Sequence, residues 1–181
     1  MMWNLPNSLT LFRIFLVPLL VVVLLTEVPD KEYWGLGIFL LAALTDALDG
    51  IIARRTNRIT VTGAMLDPIA DKLLMSAAFI SLVGLHQVPA WMVTLIVGRE
   101  FAVTALRLIA LERGCAISAN ALGKAKTTSQ IVTVSILIFS IDSQGWQLLA
   151  LVALWITIGL TVASMVLYFW QNRHLLTEDR T

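Results

Sequence analysis

Asp46-Ala47-Leu48-Asp49-Gly50-Ile51-Ile52-Ala53-Arg54, then eight residues, then Gly63-Ala64-Met65-Leu66-Asp67-Pro68-Ile69-Ala70-Asp71: this stretch joins the end of one apolar run to the start of the next. At about 3.6 residues per turn, Asp46, Asp49, Gly50, Ala53 and Arg54 stand at i, i+3, i+4, i+7 and i+8, a single helix face. Gly63, Asp67 and Asp71 are four apart and share a face in the same way. If the two helices pack as neighbours, four carboxylates converge on one spot, with glycine and alanine where bulk would otherwise stand.

Such a cluster is expensive to assemble in an apolar setting. One Asp near the centre of a membrane helix costs roughly 2.5 to 3.5 kcal/mol, and less near the interface. Two unit charges about 4 Å apart repel by roughly 4 kcal/mol at an effective dielectric near 20. Four close aspartates therefore call for cations. Asp46, Asp49, Asp67 and Asp71 are all hard oxygen donors with no His or Cys among them, which suits Mg²⁺ or Mn²⁺ better than zinc. Magnesium held by carboxylates usually brings phosphate with it. Taken singly, each aspartate could equally be a helix cap or a solvated interfacial charge; two sets at four-residue spacing favour the metal.

Outward from this stretch the chain is apolar. Of 181 residues 58% are hydrophobic and 14% charged, and the mean hydropathy is +0.84. A soluble domain carries about 25% charged residues, so the composition predicts an all-α polytopic membrane protein, one domain over 1–181. Apolar runs predict six transmembrane helices, at about Leu9 to Thr26, Tyr33 to Ala53, Asp71 to Leu85, Val88 to Leu111, Thr127 to Ile141 and Trp146 to Trp170. The third and fifth are short; the third can extend back through Asp67-Pro68, where proline either kinks the helix or occupies its first turn.

Arg54, Arg55, Arg58 and Lys72, then Arg113, Lys124 and Lys126, then Arg173 and Arg180 fall on one set of loops, against Lys31 alone on the other. This places both termini and the acidic stretch on the cytoplasmic side. Trp34, Trp91 and Trp146 open the second, fourth and sixth spans at the opposite surface. Met1 to Thr10, with Trp3, Leu5 and Leu9 among polar residues, is expected to lie along the inner surface as an interfacial helix. Glu27 and His86 read as solvated loop residues, and Cys115, the single cysteine, is given no chemistry. No basic arm with interleaved aromatics is present, so no nucleic-acid partner is expected.

A second cluster is basic. Arg99, Glu100 and Arg107 interrupt the fourth apolar run, and Lys124 and Lys126 approach the same side as the aspartates. Guanidinium forks suit phosphate, and lysine adds a mobile point charge. Two readings stand: Arg99, Arg107, Lys124 and Lys126 form an anion site, or Arg99 pairs with Glu100 and the lysines serve topology.

The pattern D-x2-D-G-x2-A-R-x8-G-x3-D-x3-D resembles the signature of the CDP-alcohol phosphotransferases at all eight fixed positions: Asp46, Asp49, Gly50, Ala53, Arg54, Gly63, Asp67 and Asp71. The strings Gly98-Arg99-Glu100, Ala105-Leu106-Arg107 and Gly123-Lys124-Ala125-Lys126-Thr127-Thr128 look like those of the bacterial phosphatidylglycerophosphate synthases. That resemblance implies transfer of a phosphatidyl group from CDP-diacylglycerol to glycerol 3-phosphate. It implies an enzyme working as a homodimer in the bacterial inner membrane, with its site facing the cytoplasm. Asp46, Asp49, Asp67 and Asp71 would hold metal, Asp71 being the family's general base. Gly50, Ala53, Arg54 and Gly63 would receive the CDP-lipid, and Arg99, Arg107, Lys124 and Lys126 the acceptor's phosphate. Asn7, Thr10 and Arg13 resemble an N-x-x-T-x-x-R element near the family's nucleotide pocket; the competing reading is a capped helix with a snorkelling arginine. Within the family, inositol phosphate and serine are the alternative acceptors. Outside it, a divalent-cation transporter could use intramembrane carboxylates, but such sites sit near the midplane on broken helices.

Overall fold

The computed structural model describes residues 5–56, 61–112, 121–142 and 144–173, with side chains over 9–46, 69–110, 123, 125–142 and 145–173. The described residues are all helical and turn, without a strand. In order they are α1 (Leu5–Leu25), α2 (Lys31–Thr56), α3 (Val61–Gly84), α4 (Ala90–Glu112), α5 (Ala121–Phe139) and α6 (Gln147–Gln171), with a single 3₁₀ turn at Gln144–Trp146 before α6. Arg58, Arg113, Cys115 and Arg180 lie outside the described residues.

Three helix starts differ from the expectation, for one kind of reason. Helix α1 begins at Leu5, so Leu5 to Thr10 are its first turns and not a separate surface helix. Pro6 falls in the opening turn, where its missing N–H leaves no helical bond unmade. Helix α3 begins at Val61 and Pro68 lies inside it, beyond the first turn. Helix α5 begins at Ala121. Apolar runs break at Asp67, Asp71 and Lys72, and at Lys124 and Lys126, yet backbone hydrogen bonds need no apolar side chains. A helix carries charges without interruption when they share a face that meets something polar.

Between α3 and α4 the chain reverses on His86, whose φ is 57°. The His86 amide donates to the Val83 carbonyl and the Gln87 amide to the Leu82 carbonyl, at 3.0 and 2.9 Å, the paired bonds of a Schellman cap with histidine at the left-handed position usually taken by glycine. His86 and Glu27 are solvent-exposed, as expected. Asp30, with φ 57°, turns the chain into α2, its carbonyl accepting from the Tyr33 and Trp34 amides.

Helix α1 packs along both α2 and α3, and α5 lies along α6, with α2 against α5 and α4 against α6. The main core is the seam of Leu16, Leu20, Leu24, Phe39, Ala78, Phe79 and Leu82, continued by Ile96, Val134 and Ile138. Where α1 meets α2, a Cβ at Gly35 would stand 2.6 Å from Leu24 Cδ2, so the buried Leu24 side chain would have to shift. At one end of the bundle, Tyr33 meets Phe139 edge-on and Phe139 meets Trp146 likewise, with ring centroids 5.9 and 5.4 Å apart. Trp34, Trp91 and Trp146 are all exposed at the starts of α2, α4 and α6. Arg13, Asp46, Asp71 and the group of Arg99, Glu100 and Lys126 lie away from that end.

The outer surface is apolar. Phe15, Ile80, Phe101 and Leu148 are more than half exposed, on four different helices. Large apolar side chains exposed on several described helices suit a lipid surrounding. Among the described residues α6 alone is both long and apolar enough to cross a membrane by itself, with hydropathy 2.3 over its best window; Leu9–Leu25 and Ala125–Phe139 are apolar but shorter. The chain is therefore membrane-associated.

Candidate active site

Helix α1 supplies the first buried charge. Arg13 and Thr10 lie one turn apart and both are wholly buried. The Arg13 guanidinium meets Asp46 of α2, Nη1 to Oδ1, at 2.7 Å. A guanidinium in the interior is tolerable only with an anionic partner. The first aspartate of the signature is thus fixed from α1, while its carboxylate stays nearly half exposed. Arg13 does not snorkel outward: it anchors the acidic face.

Helix α2 runs unbroken to Thr56, so Asp49, Gly50, Ala53 and Arg54 share the face of Asp46 by register. Helix α3 places Asp67 and Asp71 one turn apart. The side chains of Asn7, Asp49, Gly50, Ala53, Arg54, Gly63, Asp67 and Lys124 lie outside those described. Asp71 is partly buried beside Ala70 and Leu74, both core residues. It lies within electrostatic reach of Asp46, Glu100, Lys72 and Lys126, so the acidic end of α2 and the basic cluster adjoin across it. Among the described residues no three His, Cys, Asp or Glu side chains form a metal cage, and two of the four signature carboxylates fall outside that set.

The basic residues divide. Arg99 and Lys126 are both buried and meet on one carboxylate oxygen. Glu100 Oε1 accepts from Arg99 Nη1 at 3.3 Å and also from Lys126 Nζ. Among the described residues Arg99 Nε has no hydrogen-bond partner. Arg107, two turns further along α4, is exposed and held by α6: its Nε donates to the Tyr168 hydroxyl at 2.9 Å, and its guanidinium lies 5.7 Å from that ring's centroid. Tyr168 is itself set by packing on Val103 and Leu106.

The pairing of Arg99 with Glu100, one of the two readings, is present; that Glu100 also takes Lys126 and that Tyr168 takes Arg107 was not foreseen. The signal for Tyr168 was spacing. Tyr168 continues the series Thr157, Thr161, Ser164 at helical intervals on α6, and Lys126, Gln130, Thr133 do so on α5. The two series meet at Thr133 and Thr157. Thr133 bonds the Thr157 hydroxyl at 2.8 Å and donates to the Ala153 carbonyl at 3.1 Å, and Ser129 also bonds Thr157.

The model of the CDP-alcohol phosphatidyltransferase family matches residues 3–163. A CDP-diacylglycerol--glycerol-3-phosphate 3-phosphatidyltransferase of Bacillus subtilis strain 168 is 41% identical, the match covering 94% of this chain and 96% of that protein. The protein of the same name from Escherichia coli K12 is 38% identical over 99% of this chain and 100% of its own. That of Rickettsia bellii is 37% identical over 92% and 93%. With the signature on α2 and α3 inside a match that reaches from residue 3 into α6, this chain belongs to the CDP-alcohol phosphatidyltransferase family.

Proposed function

We propose that the chain transfers the phosphatidyl group of CDP-diacylglycerol to sn-glycerol 3-phosphate, releasing CMP and giving phosphatidylglycerophosphate. The reaction is the one that the names of its relatives carry. The observation that carries the reading is the adjacency of two unlike sites. Asp71 is electrostatically coupled both to Asp46 on the signature face and to Lys126 in the cationic cluster, and a reaction joining a lipid-linked diphosphate to a phosphorylated alcohol needs both.

Members of this family generally depend on a divalent metal. The donor chemistry fits: Asp46 keeps a half-exposed carboxylate, and Asp49, Asp67 and Asp71 add hard oxygens at helical register. These four would hold Mg²⁺ or Mn²⁺, which when bound neutralises the diphosphate and the departing CMP. Gly50, Ala53 and Gly63 leave room for the nucleotide, with Arg54 at the diphosphate and Asn7 and Thr10 beside it. Arg99, Arg107, Lys124 and Lys126 take the acceptor's phosphate. Asp71 accepts the proton of the acceptor hydroxyl as that oxygen attacks the β-phosphorus, and the bond to CMP breaks. Most of the rate then comes from holding two anions in line.

The setting proposed with it is six membrane spans in the bacterial inner membrane, both termini and the site on the cytoplasmic side, in a homodimer. Helix lengths of 19 to 26 residues are about 28 to 39 Å at 1.5 Å per residue, from just under to well over a hydrocarbon core of about 30 Å. The test is direct. Purified protein in nanodiscs receives CDP-diacylglycerol with glycerol 3-phosphate, inositol phosphate or serine, with Mg²⁺ or EDTA. CMP is expected with glycerol 3-phosphate and metal, and CMP released chiefly with another acceptor would overturn the assignment.

A further inference from the structure

Glu100 is the acid that the proposed acceptor site does not call for. Its oxygen Oε1 takes both Arg99 Nη1 and Lys126 Nζ, the two buried cations assigned above to the acceptor's phosphate. Buried cations need an anionic partner, and here a carboxylate of the chain supplies it. The arrangement uses only part of what the cations offer. Glu100 reaches Arg99 through one nitrogen at the long distance of 3.3 Å. The Nε of Arg99, a residue 7% exposed, has no hydrogen-bond partner among the described residues. A guanidinium fork presents parallel donors suited to a phosphate's oxygens, and Nε is one of them left over. Glu100 itself is one-fifth exposed, so its carboxylate has somewhere to turn.

Resting on the functional reading above, we infer that Glu100 is a built-in competitor: it and a phosphate monoester contend for the same pair of cations, Arg99 and Lys126, and Glu100 thereby sets how tightly the acceptor is held. Arg99 and Lys126 together carry two positive charges, and Glu100 cancels one of them before a dianion arrives. Glutamine at 100 keeps the oxygen as an acceptor for both donors and removes only the charge. It frees the cations for phosphate without emptying the interior.

The experiment uses the full chain in nanodiscs. Glu100→Gln is expected to lower the KM for glycerol 3-phosphate by about three- to tenfold and leave that for CDP-diacylglycerol within about twofold. Inorganic phosphate, titrated calorimetrically against the same samples, should bind more tightly to the variant by a similar factor. This second reading needs no turnover, so it tests Glu100 even if glycerol 3-phosphate is not the acceptor; absent CMP release by the wild-type chain would sink the functional reading alone. An acceptor KM or phosphate affinity that is unchanged or weakened in Glu100→Gln overturns the inference and makes Glu100 a positioning residue for Lys126. Should that variant not accumulate in membranes, Glu100→Asp, one methylene shorter, is expected to shift both quantities the same way by less, and no shift or a reverse shift overturns it equally.

Discussion

Arg13 and Arg99 are both interior arginines with a carboxylate at hand, and they are held in opposite ways. Arg13 reaches from α1 to Asp46 on α2 at 2.7 Å, a tie between two elements. Among the described residues Arg99 pairs with its chain neighbour Glu100, at 3.3 Å, and that acid is shared with Lys126 of α5. The first pairing fixes a signature carboxylate in position. The second leaves donors over and is suited to exchange. An ion pair between helices sets geometry, whereas one within a turn of helix sets only local charge.

The widest test of this contrast lies between the two pairs. Asp71 is coupled to Asp46 on one side and to Glu100 and Lys126 on the other. Asp71→Asn should cut CMP release by about a thousandfold while CDP-diacylglycerol still binds; retained turnover would remove it as the base. Next comes stability. Arg13→Ala removes the tie between α1 and α2 and should cost about 2 kcal/mol, seen as a lower midpoint of thermal unfolding in detergent, with Arg99→Ala losing less than half as much. Equal losses would erase the distinction. The smallest effect is expected at the third arginine, where Tyr168→Phe removes one hydroxyl from Arg107 and should raise the acceptor KM by about two- to fivefold. A rise instead in the KM for CDP-diacylglycerol would move Arg107 to the other substrate.

Regular spacing is what made the candidate site legible in the sequence. Asp46, Asp49 and Gly50, and Asp67 with Asp71, declare their faces because an α-helix repeats faithfully from residue to residue. The Trp residues at the starts of α2, α4 and α6 were visible for the same reason. What stayed hidden was pairing across elements. Nothing in the run of letters says that Arg13 turns inward to Asp46, since a snorkelling arginine and an anchoring one have the same local surroundings. Nor does it say that Glu100 is taken by Lys126, 26 positions away. Helix starts were misjudged at Leu5, Val61 and Ala121, where hydropathy fell and the backbone continued.

The hydroxyl bonds linking Thr133 to Thr157 and to the Ala153 carbonyl work as a latch on register. Individually such links contribute only about 0.6 kcal/mol. Sliding α5 by one turn past α6, however, would strand several hydroxyls at once where water is scarce. The ammonium of Lys126, carried on the same rigid rod, is thereby kept at one depth.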